Sequence, residues 1–156
     1  MSAMPITSGP YLVAAFFCEK ILREQDGVLS AIRIVDRWTV NGPTEMMPPT
    51  VIQAFICVLL KSGIYRGNAQ LAITPISPSN TRMQPIVFPL YFEADDDRGT
   101  GIVLPLGFPV QESDVYWFEV ALAKQSLPPE VVTCIPMRVV YLRLGTATPA
   151  PPTPPN

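Results

Sequence analysis

The 156-residue chain contains no histidine. That removes imidazole acid–base catalysis, histidine-activated nucleophiles and most zinc and haem sites. Charge is also scarce. Asp, Glu, Lys and Arg make up 15% of the residues, against about 25% in an average soluble domain. Lysine occurs only as Lys20, Lys61 and Lys124. With a formal net charge of −2 and a pI near 5.0, the chain lacks the basic surface that binding nucleic-acid phosphates requires.

Cysteine is limited to Cys18, Cys57 and Cys134, each inside an apolar run, with no Cys-x-x-Cys pair. An odd number cannot form a complete disulfide framework; one bridge plus one free thiol is the alternative, and the favoured reading is three buried thiols in a reducing cytosol. Long hydrophobic runs are missing too. Val51–Leu60 is interrupted by Gln53 and has about half the residues that a membrane-spanning helix needs. The apolar stretch Leu12–Cys18 has no basic residue before it. It also carries Phe17 where a signal peptidase needs a small side chain. The expectation is a cytoplasmic protein with no signal and no membrane span.

Proline is plentiful, with 19 residues, or about 12% against a usual 5%. Five fall in the uncharged segment GTATPAPPTPPN, residues 145–156. That segment has nothing to bury and reads as a disordered tail of polyproline II character. Residues 1–9 read as a flexible N-terminus. The domain is therefore placed at residues 10–144, and its prolines argue against helices.

Within it, Tyr11–Cys18 and Val51–Leu60 are continuously apolar, as strands buried on both faces are. EKILREQDG reads as one helical turn or an extended loop closed by Asp26-Gly27. Val28–Val40 reads as one alternating strand, with Val28, Ile32, Ile34, Trp38 and Val40 inward and Arg33 and Arg37 outward. Leu71 and Ile73 share a face in Asn68–Ile76. Ile86, Phe88, Leu90 and Phe92 form an inner row, with Pro85 and Pro89 on the other face. Further rows are Ile102/Leu104/Leu106/Phe108, Tyr116/Phe118/Val120/Leu122 and Ile135/Met137/Val139/Tyr141. Eight strands separated by turn residues indicate an all-β fold, a single β-sandwich of immunoglobulin-like or C2-like type. Outward prolines suit the edges of a sandwich, which a closed barrel does not have.

Asp114-x-Tyr116-x-Phe118, before the penultimate strand, resembles the Asp-x-Tyr-x-Cys entry of immunoglobulin-like domains, with Phe118 replacing the cysteine. The opening pattern resembles a family of small uncharacterised bacterial all-β proteins. Its residues are Cys18-Glu19, then Asp26-Gly27, then Leu29-Ser30-x-Ile32-Arg33-x-x-Asp36. The closing VYWFEVAL and IPMRVVY resemble that family's last hairpin. The resemblance spans roughly residues 11 to 144, with the middle third matching poorly, and implies a cytoplasmic bacterial β-sandwich without bringing an activity.

Asp95, Asp96 and Asp97 form the densest charge cluster. Carboxylates on such a loop are how C2-type domains hold calcium, and Glu112 and Asp114 would be the second-loop ligands. A solvated hairpin turn is the favoured reading. Glu19, Glu24, Asp26 and Asp36 show no spacing that fixes an acid–base pair. Ile64, Tyr65 and Arg66, between Gly63 and Gly67, are typical partner-contact residues if they cap a loop; a strand beginning at Tyr65 is the favoured reading. Arg33 and Arg37 could grip an anion, although a solvated face is commoner. No catalytic, cofactor or metal residue is assigned, and no cofactor is expected. The expected function is a non-enzymatic protein-interaction or structural module assembling with itself or another protein. The alternative is a small-ligand or calcium-binding module, and a carboxylate- or metal-dependent enzyme ranks below it. A domain this short of surface lysine suits burial of part of its surface in an oligomer.

Overall fold

The computed structural model describes residues 9–93 and 99–145, so the proline-rich tail, the start of the chain and Asp95–Asp97 lie outside the described residues. The described chain forms nine strands. They are β1 (Tyr11–Arg23), β2 (Leu29–Val35), β3 (Arg37–Gly42), β4 (Thr50–Lys61), β5 (Gly67–Ile76), β6 (Ile86–Phe92), β7 (Gly99–Val110), β8 (Val115–Lys124) and β9 (Glu130–Arg143). Two sheets result, one ordered β2-β1-β4-β7 and the other β3-β9-β8-β5-β6. Every pairing is antiparallel except β3 with β9. The protein is a β-sandwich.

The core lies between the sheets and follows the period of two. Ile52, Ile56, Val58 and Leu60 of β4 and Leu104, Leu106 and Phe108 of β7 face Leu71, Ile73, Phe118, Val120 and Met137. At the centre, Phe118 is 0% exposed. Its ring meets Phe17 edge-on at 4.7 Å and Phe108 at 4.9 Å, both from the opposite sheet. Where immunoglobulin domains place an inter-sheet disulfide, this chain has three rings. The tyrosine of the same motif also takes the expected role. The buried Tyr116 hydroxyl accepts hydrogen bonds from the backbone N–H of Gln111 at 3.1 Å and of Glu112 at 3.2 Å, fastening the β7–β8 corner.

The prolines sit where a ladder tolerates a missing donor. Pro89 lies in β6 and Pro105 and Pro109 in β7, which are edge strands. Pro75 and Pro136 are in the interior strands β5 and β9, but the β6 pairing ends at Ile73 and the β3 pairing starts only at Arg138, so both strands are locally edges there.

Two readings of the N-terminal third are corrected. EKILREQDG is neither a helical turn nor a loop. β1 continues through it to Arg23 and returns as β2, with Gly27 in the tight turn at φ +85°. Val28–Val40 is two strands, not one, which makes nine strands instead of eight. The chain leaves one sheet at Val35 and joins the other at Arg37, and Arg138 N–H binds the Asp36 carbonyl at the crossing. A residue that changes sheets breaks the phase of the alternation. Val40 is therefore buried and Trp38 half-buried, whereas Val28, Ile32 and Ile34 are exposed.

Candidate functional site

The site is built on the face of the four-stranded sheet that looks away from the core. Paired residues share a face, so the register identifies its rows. Ile34, Cys18, Phe55 and Pro105 form one row across β2, β1, β4 and β7. Phe16, Cys57 and Val103 form the next, and Ala14, Leu59 and Gly101 the third. These rows carry no charge. In these rows the β1 and β4 side chains are buried or half-buried, whereas Ile34, Pro105 and Gly101 at the two edges are exposed. β1 and β4 thus carry apolar side chains on both faces because the second face, too, is covered over its centre.

The cover is the β1–β2 hairpin itself. β1 pairs with β4 only as far as Cys18 opposite Phe55, and then continues to Arg23, opposite Leu29. If β1 ran straight, Leu29 would lie about nine residues of rise from Leu59, on the order of 30 Å. Instead, a Cβ on Gly101 would fall 2.8 Å from Leu29 Cδ1 and 3.3 Å from Leu59 Cδ2. A cleft of about 380 Å³ is walled by Val28 and Leu29 on one side and Leu59, Leu60, Thr100 and Gly101 on the other. The hairpin therefore doubles back across the outer face as a strap. Glycine at 101 leaves room for it.

The fold-back point is marked by the backbone. Within an otherwise continuous β1–β2 register, the Glu19–Arg33 pair is missing. Arg33 adopts φ +53°, a left-handed conformation costing a non-glycine residue about 1–2 kcal/mol. Its guanidinium lies 3.4 Å from the Glu19 carboxylate, bridging the two strands at the bend. Beneath the strap, Cys18 is 0% and Cys57 1% exposed. Burial pushes both thiols above their ordinary pKa, and for Cys57 the neighbouring Cys18 adds to the rise. Above it the strap offers solvent an apolar stripe, with Ile34 65% and Val28 58% exposed beside the partly exposed Leu22 and Ile32.

Of the residues singled out in the sequence, Ile64, Tyr65 and Arg66 do occupy a loop, because β5 begins at Gly67 and not at Tyr65. Ile64, 67% exposed, reaches outward as a partner contact would, and Arg66 is exposed as well while Tyr65 is half-buried. The Tyr65 ring packs edge-on against Phe92 at 5.8 Å, and its hydroxyl accepts from Gln125 N–H at 3.1 Å and donates to the Asn68 carbonyl. Arg66 turns back onto the carbonyls of Gly63 and Tyr65, each at 2.7 Å. These two side chains brace the loop.

Four of the other carboxylates have local duties. Glu112 accepts from Ser79 Oγ at 3.2 Å, while Asp114 accepts from Val115 N–H at 2.8 Å and lies 3.7 Å from Arg138. Glu24 and Asp26 hold the hairpin turn through Ser30 Oγ and Val28 N–H. Arg33 and Arg37 do not form one anion grip, since the chain has changed sheets between them. The third thiol is a correction. Cys134 is exposed, because in β9 it stands opposite Glu119 on the solvent face. Among the described residues, no three His, Cys, Asp or Glu side chains are grouped to hold a metal ion. No helix among them is long and apolar enough to cross a membrane.

No family model matches the chain, and no curated protein matches its sequence. Among solved structures it is similar to the CARDB domain of the PF1109 protein from Pyrococcus furiosus, solved in complex with di-metal ions. The identity is 11% over 90% of this chain and all of that one, with a TM-score of 0.39. The sandwich assigned above rests on this chain's own strand pairing.

Sequence reasoning missed the strap's role, although its trace was present. Two neighbouring strands with apolar residues on both faces require two covering layers, and a two-sheet sandwich supplies one.

Proposed function

We propose that the protein is a non-enzymatic interaction or structural module that assembles through the outer surface of its β1–β2 hairpin, first of all with a second copy of itself. The observation that carries this reading is the stripe of Leu22, Val28, Ile32 and Ile34. These apolar side chains are presented to solvent on a hairpin whose other face already serves the fold. Isolated exposed apolar residues are ordinary, but a contiguous stripe on one element marks a contact surface. Its neighbours on that face are Lys20, Ser30 and Glu24, the last accepting from Ser30 Oγ, and the two opposite charges leave no net charge to repel its own copy across a two-fold axis. Cys18 and Cys57, neighbouring free thiols, fit the reducing cytosol in which we place the protein.

Size-exclusion chromatography with light scattering tests the reading. Self-association is expected at high micromolar concentration, and Ile34→Glu should return the protein to a monomer with an unchanged β circular dichroism spectrum. A monomer at that concentration refutes self-assembly, and an Ile34→Glu variant that still associates refutes the surface.

A further inference from the structure

We infer that the β1–β2 hairpin is a hinged strap that lifts from the outer sheet face as a unit, without unfolding of the sandwich, and so controls access to Cys57 and the apolar rows around it.

Four independent features meet in this element. The strap's residues are not part of the main core. None of residues 20–32 belongs to the cluster between the sheets or packs against it, and Phe16, Phe55 and Leu59, on the sheet face beneath the strap, stand apart from it too. A layer with its own contacts can be lost by itself, which is how sub-global opening units are built. The bend is confined to one position, Glu19 and Arg33, where the ladder lacks a pair and Arg33 is held left-handed. Straightening the arm returns Arg33 to the β region, so the hinge favours opening. The distal contact is narrow, with Leu29 against Gly101 and Leu59 beside a cleft that already separates the two layers. Finally, the hairpin closes its own turn, with Glu24 N–H bonded to the Val28 carbonyl and Gly27 N–H to the Glu24 carbonyl. It can therefore move with its own hydrogen bonds intact.

The charged groups around the hinge also belong largely to the hairpin. Glu19 is paired with Arg33 across the two strands, so the pair travels with the strap and does not tie it to the sheet.

The cysteines report the motion directly. In the wild-type protein, the exposed Cys134 should react at once with a thiol reagent such as DTNB and act as an internal standard. The other two should react slowly. Mass spectrometry of the labelled chain assigns each site. Cys57 is expected to label at least tenfold faster than the sandwich unfolds, with only a small fraction of the urea dependence of global unfolding. Leu29→Ala, which removes the distal contact, should accelerate Cys57 labelling about tenfold while tryptophan fluorescence remains native.

A lock gives the converse result. In a Cys134→Ser background, Leu29→Cys with Gly101→Cys is oxidised to join the strap to β7. Cys57 labelling should then fall to the rate of global unfolding and recover on reduction. The strap is refuted if Cys57 in the wild-type protein labels only at the global unfolding rate with its full urea dependence. It is equally refuted if the oxidised lock leaves labelling unchanged. The strap's movement does not depend on its outer stripe having a partner, so light scattering and thiol labelling fail separately.

Discussion

Replacing Tyr116 by Phe removes one oxygen and leaves the ring in place. The ring remains packed beside Phe108, with centroids 6.2 Å apart, so no cavity forms and the change isolates the hydroxyl. That hydroxyl accepts two backbone N–H groups, from Gln111 and Glu112. A net intramolecular hydrogen bond contributes about 1 kcal/mol, and a donor stranded away from water costs about 1–3 kcal/mol. Gln111 and Glu112 are exposed residues, so water reaches part of the corner and the lower end applies. The expected loss is about 2 kcal/mol, or about 4–8 °C in Tm for a domain of this size. Urea unfolding followed by tryptophan fluorescence should show the midpoint falling by about 1 M at an unchanged slope of about 2 kcal/mol per M. Tyr141→Phe is the control, because its hydroxyl donates to the Thr44 carbonyl on an exposed surface, and it should lose less than about 1 kcal/mol. A Tyr116→Phe protein within about 0.5 kcal/mol of wild type would falsify the corner as a stabilising device.

Phe118→Ala should lose at least about 3–5 kcal/mol, since it empties the point where three rings from both sheets meet; calorimetry showing a smaller loss would mean that the sheets collapse into the void. Stability should also fall above about pH 9, the ordinary value for the cysteine thiols. Burial raises Cys18 and Cys57 above it, so in this range the unfolded chain releases protons that the folded chain retains. The folded state then binds more protons, and unfolding becomes more favourable as pH rises. Tm measured from pH 7 to 10.5 should decline less in a Cys18→Ala/Cys57→Ala variant; equal declines would show that other groups carry the effect. Pro89→Val and Pro105→Val restore N–H donors on β6 and β7, the edges of the two sheets. Static light scattering of concentrated samples should show raised aggregation, and unchanged scattering would deny the prolines a protective role.

Much of the sandwich was legible because local rules governed it. The inner rows of β5, β6, β7, β8 and β9 alternate without interruption, and each keeps its phase in the folded chain. The edge position of β6 was legible from Pro85 and Pro89, since a missing donor is tolerated only where no neighbour needs it. Tyr116 was legible because a hydroxyl four or five residues from its donors makes a local contact. Failures occurred where a long-range contact decided the outcome. Ile32 and Ile34 alternate as a buried strand would, yet they lie on the strap's solvent side because the chain changes sheets at Asp36. Cys134 is flanked by apolar residues but faces out beside Glu119, and one position in register determines that.

The candidate site shows the same division. The composition of Tyr11–Cys18 and Val51–Leu60 required cover on both faces of these strands, because water against either would leave apolar surface exposed. Nothing in their sequence identified the second cover. The tertiary structure assigned that role to the adjoining hairpin, turned back at Glu19 and Arg33 until Leu29 reached Gly101. Local pattern specifies which side chains must be hidden. Only the folded chain decides what hides them, because a contact between residues 29 and 101 depends on every bend between them.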